Sequence, residues 1–173
     1  MPPAGFSAAT VLDLVRAGVS LQSVVDAHSM DEVVGAVRDA LTGLRLGVSS
    51  LDETALHRVA GLELWSIAEI AGHVLKADEA AHAIARSLAL GRPDADVTFP
   101  YDVAGDPAAT RESLLDAIHC GEERLATTRV LAAGGATQPH DELGELTARG
   151  WVLFSGLHAA AHLHQAAAVM RAR

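Results

Sequence analysis

Trp65-Ser66-Ile67-Ala68-Glu69-Ile70 contains a complete helix start. Ser66 and Glu69 are spaced to cap one another's backbone donors, and Trp65, just ahead of the cap, is placed to pack on Ile70 as a hydrophobic staple. From there apolar residues recur at helical spacing through Ile67, Ile70, Val74, Ala77, Ala81, Ile84 and Leu88, until Gly91 and Pro93 close the pattern near residue 90. A helix this long with one apolar face needs partners, and the flanking sequence supplies them. Upstream, Val33, Val34, Val37, Leu41 and Leu44 form a stripe opposite Asp31, Glu32, Arg38 and Asp39, which predicts a helix over 31–46 ended by Gly47. Ser50-Leu51-Asp52-Glu53 reads as a capping box opening a short piece before Gly61. Downstream, 92–106 is rich in Pro, Asp and Gly and reads as a loop. Asp106-Pro107 then caps a helix over about 107–131, with Leu114, Leu115, Ala117, Ile118 and Leu125 on one face and Gly134-Gly135 as its stop. Pro139-His140-Asp141 reads as a turn, and Thr147 caps a last helix that runs to the C-terminus, with Leu146 stapled to Trp151.

The fold class that follows is all-α: a four-helix bundle over 31–173, with an N-terminal helical extension over 1–30 that breaks near Gly18. Length and composition agree. The 173 residues suit one domain, and Ala (34) with Leu (22) supply almost a third of them, a composition that favours packed helices and disfavours strands. Net charge is −9 and Lys76 is the only lysine, so no basic face exists for nucleic acid or an anionic membrane. Cys120, the single cysteine, cannot form an internal disulfide and reads as a small buried or half-buried filler. With no signal-peptide pattern at Met1-Pro2-Pro3, the expected location is the cytoplasm. Trp151 to Met170 carries no formal charge, yet three histidines and seven Gly or Ala residues within it favour a buried bundle helix over a membrane span.

The chain has nine histidines, and spacing sorts them. His158 and His162 are four apart, so their rings stack on one helix face within reach of one ion. His164 lies about 200° around the helix from His162 and faces elsewhere. A third ligand must come from another helix, and His73 sits within the apolar stripe of the second bundle helix, whereas His82 is expected to face solvent. Three neutral imidazoles leave a coordination position open, the arrangement of catalytic rather than structural metal sites. The alternative is that the i,i+4 pair merely sits hydrogen-bonded in the core. Trp151, Phe154 and Ser155 share the face of His158 and would make a partly aromatic surround with one hydroxyl. Glu79-x2-His82 lacks the second copy and extra glutamates of a di-iron bundle and reads as a solvated pair, while His119 and Glu123 read as surface. No general base stands out; His119 and Glu69 are guesses.

Trp65-Ser66-x2-Glu69-x3-His73 followed, 85 residues after that histidine, by His158-x3-His162-x2-Gln165 resembles the DinB/YfiT-like superfamily over residues 31–173. The resemblance implies an up-up-down-down four-helix bundle holding one divalent ion through His73, His158 and His162. Zn or Ni is the first expectation, with Fe, Mn or Co also compatible with imidazole ligands. It further implies a metal-dependent enzyme that activates a low-molecular-weight thiol or water, a thiol transferase or a hydrolase, acting on a small molecule as a homodimer. The other reading is a non-enzymatic metal- or small-molecule-binding stress-response bundle. Some mycothiol-linked relatives place a glutamate where this chain has His158, so the all-histidine set points to the DinB/YfiT branch.

Overall fold

A computed structural model describes residues 5–59, 65–92, 99–128 and 135–171. The elements are α1 (Ala8–Arg16), α2 (Leu21–Asp26), α3 (Met30–Ser49), α4 (Glu53–Leu56), α5 (Ile67–Ala89), α6 (Arg111–Thr128), a hairpin of β1 (Thr137–His140) and β2 (Gly144–Thr147), and α7 (Ala148–Arg171). Helices α3, α5, α6 and α7 form the bundle. Val37 and Gly43 of α3 meet Gly156 and Leu163 of α7, so these two run in the same direction. Asp78 and His82 of α5 meet Arg124 and Thr128 of α6, which makes that pair parallel as well. Arg111 at the start of α6 donates to Leu51 O just past α3, so α3 and α6 are antiparallel. In chain order the rods run up, down, down, up, a cyclic shift of the up-up-down-down order that the resemblance implies. The long connection from Leu90 to Thr110 is what lets α5 and α6 run in parallel.

Helix starts follow the local chemistry. Ser66 and Glu69 form the expected capping box on α5, with both the Ser66 N–H and hydroxyl donating to Glu69 Oε2 at 2.8 Å. Ser29 and Glu32 form a second, unforeseen box that starts α3. Three boundaries differ from expectation. Helix α3 runs through Gly47 to Ser49, because Leu44 and Val48 remain buried on its core face beyond that glycine. The short α4 is capped by Asp52, which accepts from the Ala55 N–H at 2.8 Å, since Ser50 is taken up in ending α3. Asp106 turns the chain onto the Ala108 N–H instead of opening α6, which is capped at Thr110, where the Ser113 N–H donates to Thr110 Oγ1 at 3.2 Å. The expected end of that helix, at 131 before Gly134-Gly135, falls mostly outside the described residues.

The hairpin replaces the expected turn at Pro139-His140-Asp141. Its antiparallel register pairs Thr137 with Thr147 and His140 with Gly144, where φ is +73° and glycine fits without strain. Pro139 is tolerated because each strand has a free edge. Gln22 Oε1 accepts from the Thr147 N–H at 3.0 Å, Arg149 donates to Val25 O at 3.1 Å, and Trp151 Nε1–H donates to Gln138 O at 3.3 Å. These bonds tie the hairpin and α2 to the start of α7. The extension joins the core directly, with Val11, Leu21, Val24 and Val25 clustering with Trp151, Val152 and Leu157. Among the described residues no helix is long and apolar enough to cross a membrane.

Candidate metal centre

One nitrogen from each of His73, His158 and His162 lies within 4.8 Å of the other two. His73 projects from the first half of α5 and the other two from the middle of α7, so the antiparallel packing of these helices brings the rings together. His73 Nε2 is 2.9 Å from His158 Nε2, and the ring centroids are 4.5 to 4.9 Å apart. Two Zn–N bonds of about 2.05 Å at a tetrahedral angle require a nitrogen spacing of roughly 3.3 Å, which lies between 2.9 and 4.8 Å. Among the described residues this group contains no carboxylate, so protein atoms supply three ligands.

Neighbouring acceptors fix how the rings present themselves. The backbone carbonyl of Val103 accepts from His73 Nδ1–H at 2.9 Å, which leaves the Nε2 lone pair facing the centre. Gln165 Oε1 does the same for His162 Nδ1 at 2.7 Å. All three rings titrate below the usual histidine range, and burial is the main cause in each case. His158 is pushed down to about 3, with His162, His73 and His140 adding to the effect of burial. Neutral imidazoles are the form a metal requires, and in His73 and His162 the far nitrogen is already bonded, so the residues fit a divalent ion.

The segment 99–106 places Val103. The Gly105 N–H donates to Glu69 O at 3.0 Å and Lys76 Nζ donates to Ala104 O at 2.9 Å, so the loop lies flat along α5. This approach depends on a glycine pair: a Cβ on Gly105 would sit 2.6 Å from Glu69 O and 2.7 Å from Gly72 Cα. Gly105→Ala is expected to destabilise the fold by about 1–3 kcal/mol by overpacking backbone on backbone. It should also release His73 from Val103. Urea unfolding measures the first effect, and the His73 imidazole 15N shifts report the second.

Other expectations fare unevenly. His164 is exposed, as its angle requires, and His119 is an exposed ring near Glu122 and Glu123. Cys120, expected to be at least half-buried, is exposed on α6. His82, expected to face solvent, is 0% exposed: α6 covers that side of α5, and Thr128 Oγ1 lies 2.9 Å from His82 Nδ1. Asp78, one turn earlier, is also buried, 2.6 Å from Arg124 Nη1 and 3.4 Å from His82 Nε2. Glu79 stays exposed, so the Glu79/His82 pairing does not form. Glu69 is committed to its capping box and Ser155 to Val152 O, which leaves neither free to serve the centre. Reasoning from sequence missed the Val103 carbonyl and His140. No side-chain pattern signals a loop carbonyl, and His140 belongs to a hairpin too short to show a period.

Four helices closing on three convergent imidazoles define a helical bundle of the histidine-triad type. The sequence profile of the DinB superfamily matches residues 34–166, and the chain belongs to that superfamily. Among solved structures it is similar to TT2238, described as a four-helix bundle protein, at 22% identity and a TM-score of 0.65, over 81% of this chain and 99% of that one. None of the curated proteins compared matches this chain.

Proposed function

We propose that the chain binds one divalent ion, zinc or nickel first, through His73, His158 and His162, and that it is a metal-dependent enzyme acting on a small molecule. The observation that carries this reading is the pair of bonds that Val103 O and Gln165 Oε1 accept, which turn buried His73 and half-buried His162 toward a third ring. When bound, the ion supplies a Lewis-acid centre that acidifies a thiol or a water. The chain's own part is to hold the rings in one tautomer, keep them unprotonated and leave one face open. Transfer to or from a low-molecular-weight thiol is the reaction the family resemblance favours, with hydrolysis as the variant that uses water. The same resemblance supports a homodimer, which light scattering would report as twice the 17.9 kDa chain mass.

Elemental analysis of protein prepared without an affinity tag tests the reading. About one ion per chain is expected. Protein that takes up neither zinc nor nickel after chelation and resupply would overturn it. A loaded protein that consumes no thiol or ester across a substrate screen would keep the metal and remove the enzyme, leaving the non-enzymatic binding bundle.

A further inference from the structure

A fourth histidine lies close to the triad without joining it. His140, at the end of β1, is 4% exposed, and its ring centroid is 4.4 Å from that of Phe154 and 5.5 Å from those of Trp151 and Tyr101. The Glu142 backbone N–H donates to His140 Nδ1 at 3.2 Å, so the neutral ring carries its proton on Nε2. That Nε2 is buried and has no hydrogen-bond partner. A buried donor left unmatched by the chain is one that an ordered water or a ligand can satisfy.

His140 lines a pocket of about 270 Å³ between α1, the hairpin and α7, and so does His158 of the triad. Leu12, Val15 and Leu157 give the pocket an aliphatic wall. Arg16 also lines it, paired with Asp13 only at 4.0 Å and with both side chains largely in solvent, so the guanidinium is free to turn. The exposed Glu142 carboxylate opposes an anion here, so the charge preference rests on Arg16 and His140. The volume suits a compact ligand, and an apolar wall with a few convergent polar groups is the usual make-up of a small-molecule site.

We propose that this pocket binds a short aliphatic carboxylic acid, or the acid end of a small substrate, with His140 Nε2–H donating to the carboxylate and Arg16 supplying the charge. His140 is then a specificity-determining residue, and α1 exists in part to wall the site. Calling the ligand a substrate rests on the metal reading, whereas binding itself does not.

The test uses the full chain after chelation, so that a carboxylate cannot simply ligate an ion, with hexanoate and hexylamine as probes. Hexanoate is expected to shift the His140 imidazole 15N resonances saturably, and hexylamine to leave them unchanged. His140→Phe should weaken hexanoate binding by about tenfold or more. Leu12→Trp, which fills the pocket, should abolish it, and Arg16→Gln should weaken it several-fold while leaving the core untouched. Equal binding of hexylamine, or hexanoate binding unchanged in all three variants, would overturn the proposal. Zinc uptake by parallel aliquots resupplied with the metal separates the two claims: wild-type protein that binds hexanoate but takes up no zinc would sink the metal reading and leave the pocket standing.

Discussion

His158→Ala is expected to weaken zinc binding by well over a hundredfold, because even the residues that orient a ligand cost about 10–100-fold when removed and His158 is itself a ligand. His73→Ala and His162→Ala should do the same. Gln165→Ala, which frees the His162 ring without removing it, should fall within the lower range. His164→Ala, on the same helix but exposed, should change nothing. This ordering distinguishes the triad from general histidine affinity, since a chain with nine histidines takes up zinc loosely at many places. Competition against a chromogenic chelator gives the affinities. If His164→Ala lost zinc as severely as His158→Ala, or if His158→Ala kept the wild-type affinity, the assignment would fail. His158→Ala should remain folded, because its ring only borders the Phe154 cluster and contributes no bond on which a helix depends.

Much of this centre can be read from the sequence because it lies on long helices. An α-helix converts spacing into direction, so the four-residue step from His158 to His162 and the place of His73 in its apolar stripe each predict a facing side chain. The capping chemistry of Ser66 and Glu69 is equally local and appears in the structure as expected. What sequence leaves hidden depends on contacts between elements. Burial of His82 and Asp78 is set by α6 lying against a second face of α5, which the pattern of α5 alone leaves polar. The Val103 carbonyl reaches His73 only because Gly72 and Gly105 let two backbones touch, and single glycines in a sequence do not announce a partner thirty residues away. The hairpin is four residues a strand, too short for alternation to stand out, and it is held by Gln22 and Trp151 from elsewhere.

The metal-free protein is expected to lose stability steeply as pH falls below about 6.5, the ordinary histidine value. In the unfolded chain His158 takes up a proton near that pH, whereas in the fold it does so only at about 3. Between those values the unfolded state binds a proton that the native state refuses, so acid favours unfolding. The slope approaches about 1.4 kcal/mol per pH unit for such a group, which amounts to roughly 2.7 kcal/mol by pH 4.5. His73, His140 and His162 are shifted in the same direction, mainly by burial, and add to the loss until each reaches its own folded value. Against a total stability of about 5–15 kcal/mol this is a large fraction. Glu32 is held low by the Ser29 backbone bond, so its contribution disappears only at more acid pH and does not blur this window. Zinc raises stability at neutral pH by binding only the native state, yet protons compete for the same nitrogens, so the loaded protein should show a still steeper acid limb. Urea midpoints of chelated protein at pH 7 and pH 4.5 measure the effect, and His158→Ala should flatten the dependence by about one histidine's share. Chelated wild-type protein equally stable at both values, or a variant as steep as wild type, would show that these rings are not held neutral by their burial.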